Sequence, residues 1–245
     1  MAKQQNVATA DFRGKHNSDL TKSIARVRQG ASWKKQRVIV ILPSSDLIAA
    51  KVALSHWSLI FPPNQSVYRH LALGQEVGEA YSHGIAEVLA NADLSQWEYI
   101  LTIESDNMPP ADGLLNLIKD MEEHPEFACI GGLYWCKGEG GCAHIWGDPK
   151  DPVINYRPQV PIPGTVQECC GTSMGFNLWR LSIFKDERIP RPWFRTIAGK
   201  EGVGTQDLQF WNHARKYGYR CAVDTRVLVG HFDFEGKFGL PDTVW

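Results

Sequence analysis

The feature that most restricts the fold is a recurring unit: a short apolar run that stops at a polar turn, then a stretch with helical periodicity. Val38-Ile39-Val40-Ile41-Leu42 is β-branched up to its last residue and halts at Pro43-Ser44-Ser45-Asp46, so it reads as a buried strand entering a turn. Asp46 is placed to cap a helix that runs to about Leu59 and ends before Pro62-Pro63. Val67 to Leu71 is a second, weaker strand. From Gln75 to about Ala90, the residues Val77, Ala80, Tyr81, Ile85, Val88 and Leu89 share one side of a helix. Glu98 to Ile103 is a third strand, stopped by Glu104-Ser105-Asp106-Asn107. Pro109-Pro110 then open a helix with Leu114, Leu115, Leu117, Ile118 and Met121 on its apolar face. Phe127 to Leu133 is a fourth strand. Such alternation predicts an α/β fold, with a mostly parallel sheet covered on both faces.

The alternation lapses from Trp135 to Gln167, a stretch that holds Gly138, Gly140, Gly141, Gly147, Gly164 and several prolines, with His144 and Trp146 among them. A long irregular segment inside a domain is the natural place for substrate contacts. After it come a Gly-rich apolar stretch (Gly171 to Trp179), a helix from Asp207 to Tyr217, and strands at Arg220–Val223 and Val227–Gly230. No internal repeat or low-complexity tract appears. The expected organisation is a basic arm over residues 1–36 and one domain over 37–245.

The net charge of −1 hides that arm. Residues 1–37 hold Lys3, Arg13, Lys15, Lys22, Arg26, Arg28, Lys34, Lys35 and Arg37 against Asp11 and Asp19 alone. Leu20, Ile24 and Val27 recur at i, i+4 and i+7, so a short amphipathic helix is expected after Ser18 as its cap. An arm of this kind either packs back on the acidic body, stays mobile, or gives a foothold on an anionic partner such as lipid or nucleic acid. The longest aliphatic run, 38–42, is far short of the ~20 residues that cross a bilayer. The polar N-terminus shows no secretory signal. No transmembrane segment and a cytoplasmic location are therefore expected. The 6 cysteines are too irregularly spaced for a disulfide framework. Cys136, Cys142, His144 and Cys169 can be drawn as a zinc site, but no C-x2-C pair supports it, and reduced thiols are the better reading.

In an open α/β sheet, ligands bind beyond the carboxyl ends of the strands. Two such ends stand out: Pro43-Ser44-Ser45-Asp46, and Glu104-Ser105-Asp106 with carboxylates at i and i+2. In extended geometry these two side chains point the same way. Paired hard oxygens suit Mg²⁺ or Mn²⁺, although acidic turns after strands are common without any metal.

Further on, the motifs come in a telling order. Gly171-Thr172-Ser173-Met174-Gly175-Phe176-Asn177-Leu178 precedes Pro192-Trp193-Phe194. Then follow Thr205-Gln206-Asp207-Leu208-Gln209-Phe210-Trp211, Gly218-Tyr219-Arg220 and Val229-Gly230-His231. The series resembles the glycosyltransferases of GT-A fold, particularly the family 2-like group of bacteria and their phages, over about residues 37–233. The resemblance implies a single Rossmann-like α/β/α sandwich with a nucleotide-binding half and an acceptor half.

It also implies roles. Glu104-Ser105-Asp106 stands at the family's D-x-D, so Asp106 would bind the divalent cation (Mn²⁺ or Mg²⁺) that holds the diphosphate of a nucleotide-sugar donor. Glu104 departs from the usual Asp, which makes ribose or water-mediated contact as fitting as metal contact. His231 matches the late histidine that completes the metal site. Gln206-Asp207 takes the place of the E-D pair, with Asp207 as general base and Gln206 beside the acceptor. Pro43, Ser45 and Asp46 match the first nucleotide-contacting loop, while Gly171 and Thr172 fall on the donor side and Trp193 on the acceptor side. Tyr81-Ser82 stand where many members have Arg-Asn.

Each residue has a plainer reading. Asp207 can cap the helix it opens, His231 can be a core histidine, Trp193 and Phe194 can be core or rim aromatics, and Gly171 and Gly175 can simply allow close packing. His144, Trp135 and Trp146 receive no role. The rivals to sugar transfer are a nucleotidyltransferase and a non-catalytic nucleotide-sugar or carbohydrate-binding protein of the same lineage. The first strand lacks a following Gly-rich, basic loop, which counts against the former. Substituted Glu104 and Gln206 favour the latter. The donor base, the stereochemical outcome and the acceptor (glycan, lipid-linked sugar, protein or modified nucleic acid) are not legible in the chain.

Overall fold

Strand β1 (Val38–Ser44) sends Ile39 and Ile41 into one core and Val38 and Val40 into another, and all four are buried. A strand with two buried faces must lie inside a covered sheet. The computed structural model, which describes residues 37–63, 65–137, 141–197, 204–233 and 243–244, places it there. The basic arm and its expected helix after Ser18 lie outside the described residues.

The other elements follow in chain order. They are α1 (Ala50–Ser58), β2 (Val67–Leu73), α2 (Val77–Ala90), β3 (Tyr99–Ile103), β4 (Asn107–Met108), α3 (Gly113–Glu123) and β5 (Phe127–Leu133). Next come β6 (Ile145–Trp146), β7 (Val166–Cys169), β8 (Gly171–Thr172) and β9 (Phe176–Arg180). The last are α4 (Gln206–Ala214), β10 (Arg220–Leu228), β11 (Gly230–Phe232) and β12 (Thr243–Val244). Seven strands form the central sheet in the order β2-β1-β3-β9-β5-β10-β7. β1 runs parallel to β2 and β3, and β10 parallel to β5, whereas β9 and β7 are reversed. The mostly parallel α/β sandwich expected from the sequence is therefore present.

Helix α2 covers β1 and β2, and α3 covers β5, β9 and β10. Leu114, Leu117, Ile118 and Met121 of α3, at helical spacing, meet Leu101, Ile130 and Leu178 of the sheet. The opposite core is aromatic: Trp179 stacks on Trp211 with ring centres 5.3 Å apart, and Phe194 on Phe210 at 4.8 Å. Because β9 is reversed between β3 and β5, its first residue pairs with the last of β3 (Phe176 with Ile103). Residues just before β9 thereby meet residues just after β3. A second, small sheet in the order β12-β11-β4 sits beside this edge, with Gly230 opposite Met108 and His231 opposite Asn107.

Several boundaries differ from expectation. Asp46 caps no helix: it is exposed at φ 88°, and α1 starts at Ala50 after an extended approach, with no side-chain cap. The helix after Pro109-Pro110 starts at Gly113. Of the two late strands, Arg220–Val223 and the start of Val227–Gly230 form one strand, β10, while Gly230 opens β11. Strand β10 is interrupted between Asp224 and Leu228, where the Asp224 carboxylate accepts from the backbone and guanidinium of Arg226. The last helix ends at Ala214 and tightens through Arg215–Tyr217 to Gly218, whose φ of 85° suits glycine.

Buried Thr172 ties these layers together. Its hydroxyl accepts from Trp211 Nε1 (3.2 Å) and from Asn177 Nδ2 (3.4 Å). Thr172→Val keeps the shape but strands Trp211 Nε1, while Asn177 Nδ2 keeps its bond to the Ser173 carbonyl, so urea unfolding is expected to show a loss of about 1–3 kcal/mol. A variant as stable as wild type would show that these bonds contribute nothing net.

Candidate active site

The carboxyl ends of β1, β3, β5 and β10 open on one edge of the sheet, and the reversed β9 begins there. Pro43, Ser44 and Ser45 beyond β1 and Glu104, Ser105 and Asp106 beyond β3 line a cleft of about 290 Å³, closed on its third side by Gln75 and Val77 at the start of α2. Five residues expected at a donor site (Pro43, Ser45, Glu104, Ser105 and Asp106) are thus brought together. Asp46 stands exposed next to this lining and does not belong to it. The turn after β3 is fixed from several sides. Glu104 N donates to Gly175 O (3.1 Å), and His56 of α1 donates from Nε2 to Asn107 O (2.9 Å). Gly175 is required here, since a Cβ would lie 2.5 Å from Asn107 Oδ1 and 2.6 Å from Tyr134 Cζ.

The small sheet delivers His231 to Asp106. Phe232 N donates to the Asp106 carbonyl (2.7 Å), and His231 Nε2 lies 3.5 Å from Asp106 Oδ2. His231 Nδ1 is 2.7 Å from the carbonyl of Trp135, which can only accept, so Nδ1 carries a proton and Nε2 is the atom turned to the carboxylate. Lys137 Nζ reaches the same oxygen at 2.5 Å. Burial pushes the Asp106 carboxyl up, but the hydrogen bond and charge of His231, with Lys137, overcome this and hold it at about 2.

Glu104 behaves in the opposite way. Burial, with the charges of Asp106 and Asp207 added, pushes its carboxyl up to about 8. Asp207, in the first turn of α4 and 5% exposed, is also raised by burial, while hydrogen bonds from Thr205, Leu208 N and Ser173 restrain the shift. The N-cap of α4 is Thr205, and Asp207 Oδ1 accepts from Leu208 N at 2.8 Å. Ser173 joins this carboxylate to the irregular segment through His144 Nδ1 (2.6 Å) and Trp146 Nε1 (2.8 Å). His144 stacks on Tyr134 with ring centres 4.2 Å apart, and burial lowers its imidazole to about 3, so it stays neutral.

Other expected residues are placed elsewhere. Gly171 packs under α4, where a Cβ would meet Leu208 Cδ2 at 2.9 Å, and Thr172 is the buried hub described above, so neither faces the donor cleft. Trp193 is 4% exposed, packs edge-on against Phe184 and lines a separate hollow of about 190 Å³. The aromatic expected on the acceptor side is a core side chain. Gln206 lies between Thr196 and the start of α2, its Oε1 accepting from Thr196 Oγ1 at 3.5 Å. Tyr81 is fully buried, and Ser82 bonds the backbone of Phe194. All 6 cysteines are free, and Cys169 faces Cys221 at 3.8 Å rather than Cys136 and Cys142, which breaks up the zinc set. Lys137, Tyr134 and Ser173 are the site residues that sequence reasoning missed. Applying the strand-end rule to β5 would have pointed to the first and second.

The raised Glu104 carboxyl has a measurable consequence. Between its ordinary value of 4.5 and about 8, the unfolded chain has lost this proton while the folded chain keeps it. Stability from this group is thus present below pH 4.5 and falls as pH rises to about 8. Glu104→Gln should remove that fall, so its stability relative to wild type increases from pH 4.5 to 8.5 in urea unfolding. Parallel curves for the two proteins would contradict the assignment.

No protein-family model matches the chain, and neither does any curated protein sequence. Solved structures do. The chain is similar to A197 from STIV, with a TM-score of 0.57 at 13% sequence identity, covering 80% of this chain and 85% of that one. TarS 1–349 of S. aureus, crystallised with UDP-GlcNAc, gives a TM-score of 0.43 at 16% identity, covering 76% of this chain and 55% of that one. At such identities the likeness to A197 concerns the fold alone: the sheet, with its reversed strand β9, is of GT-A type.

Proposed function

We propose that this chain is a glycosyltransferase that moves a sugar from a nucleotide-diphosphate donor to an acceptor hydroxyl with the help of Mn²⁺ or Mg²⁺. The observation that carries the reading is the meeting of Asp106 with His231 Nε2 beside the Pro43–Ser45 loop, on a GT-A-type sheet. The donor set fits a divalent cation. A carboxylate held ionised and an imidazole nitrogen turned toward it offer two ligands, and the Lys137 ammonium on the same oxygen marks a place that favours positive charge. Among the described residues no group of three or more His, Cys, Asp or Glu converges on one point. Two protein ligands, with diphosphate oxygens and water in the other positions, are a usual arrangement for Mg²⁺.

Bound there, the cation would neutralise charge growing on the leaving diphosphate. The chain's own residues would do the rest. Pro43 to Ser45 and Glu104 line the space for the nucleotide, and Glu104, keeping its proton near neutral pH, can donate a hydrogen bond to a ribose or sugar hydroxyl. The acceptor oxygen attacks the anomeric carbon as the bond to the diphosphate oxygen breaks, and Asp207 takes the acceptor proton. Burial raises the basicity of Asp207 toward working pH, which is what a general base requires. Ser173 and Thr205 orient its carboxylate. This assignment implies inversion at the anomeric carbon.

One observation favours a non-catalytic binding protein of the same fold: Asp207 is only 5% exposed. Incubation with a panel of nucleotide sugars and Mn²⁺, read out as released nucleotide and transferred sugar, separates the two readings. Nucleotide binding without release would leave the binding protein. Two variants sharpen the test. Asp207→Asn keeps the bond to Leu208 N but cannot take a proton, so transfer should fall by ~10²-fold or more with donor affinity intact; wild-type transfer would leave Asp207 a helix-terminus residue. Asp106→Ala should stay folded and lose ~10²-fold in turnover. Full activity in that variant, or in wild type with excess chelator, would remove the metal from the mechanism.

A further inference from the structure

Lys137 touches Asp106, the residue proposed to hold the cation. It follows Trp135 and Cys136 beyond the end of β5. Trp135 bridges Ala143, and Cys136 N donates to Cys142 O at 2.8 Å, so the base of this hairpin is fixed by backbone pairing. The Trp135 carbonyl is also the group that holds His231 Nδ1. One short segment thus orients His231 and presents Lys137.

The placement of the ammonium is unlike that of an ordinary surface lysine, whose ion pairs are exposed and contribute little. Lys137 is drawn in to 17% side-chain exposure, and Nζ sits 2.5 Å from Asp106 Oδ2, the oxygen that also faces His231. Among the described residues the cleft lining holds carboxylates but no lysine or arginine. A diphosphate entering the cleft would need positive charge beyond what a cation bound by Asp106 and His231 provides, and Lys137 is positioned to give it.

We infer that Lys137 is a resident cation with two partners: it pairs with Asp106 while the site is empty and passes to the donor diphosphate when metal and donor bind. The inference rests on the nucleotide-diphosphate reading above. It makes Lys137 a competitor of the divalent cation in the donor-free protein and a contributor to donor binding in the complex. A lysine that merely ties down the hairpin would not act in opposite directions.

The test is calorimetric titration of the full chain as wild type, Lys137→Gln and Lys137→Arg. Mn²⁺ is titrated first without nucleotide, then UDP, GDP, ADP and dTDP in turn at saturating Mn²⁺. Lys137→Gln is expected to bind Mn²⁺ about three-fold or more tighter than wild type. It should bind the best of the four nucleotides about ten-fold or more weakly. Lys137→Arg, which keeps the charge, should stay near wild type in both and guards against loss of fold. Mn²⁺ binding seen in Lys137→Gln but too weak to detect in wild type would also support the inference. Unchanged or weakened Mn²⁺ binding in Lys137→Gln, unchanged nucleotide binding, or no Mn²⁺ binding in any form overturns it. A wild-type protein that binds none of the nucleotides overturns the donor reading, and this inference with it.

Discussion

The site depends on a single antiparallel pairing, that of β11 with β4. Gly230 opposite Met108 and His231 opposite Asn107, sealed by Phe232 N on the Asp106 carbonyl, bring an imidazole across more than 120 residues of chain to an acidic turn. The register matters. A one-residue slip would turn His231 to the other face and leave Asp106 with Lys137 alone. The reversed strand β9 provides the second constraint, because it brings Ser173 and Gly175 to the end of β3, where Gly175 lets the backbone of Glu104, Asn107 and the ring of Tyr134 converge.

Three carboxylates then share one neighbourhood, and their surroundings shift them differently. Asp106 meets an imidazole and an ammonium and stays ionised. Glu104 is buried beside Asp106 and Asp207, whose charges outweigh that of Lys137, and keeps its proton to about 8. Asp207 is raised by burial, but hydrogen bonds to its carboxylate limit the rise. Similar side chains are pushed apart by environment, as the proposed division of labour among them requires.

The sheet was legible in the sequence because its strands are short, apolar and stopped by polar turns. Phe127–Leu133 coincides with β5 from end to end, and the two polar or acidic strand ends, 43–45 and 104–106, line the cleft. His231 and Asp207 were singled out only through motif order, since neither has a local pattern that distinguishes it from a core residue. Packing places other residues singled out in the sequence. Trp193, Gly171 and Thr172 are taken up by packing around Phe184 and under α4. Lys137 escaped notice because it sits in a Gly-rich stretch without periodicity, and only the pairing of Trp135 with Ala143 carries it to Asp106.

The central claim is that Asp106 and His231 together hold a divalent cation on which a nucleoside diphosphate rests. Crystals grown with Mn²⁺ and the tightest-binding nucleoside diphosphate test it most directly, through anomalous scattering at the manganese edge. The account predicts one peak at ligand distance from both the Asp106 carboxylate and His231 Nε2, touching the diphosphate oxygens. Nucleotide bound in the cleft with no peak at these two side chains would contradict it.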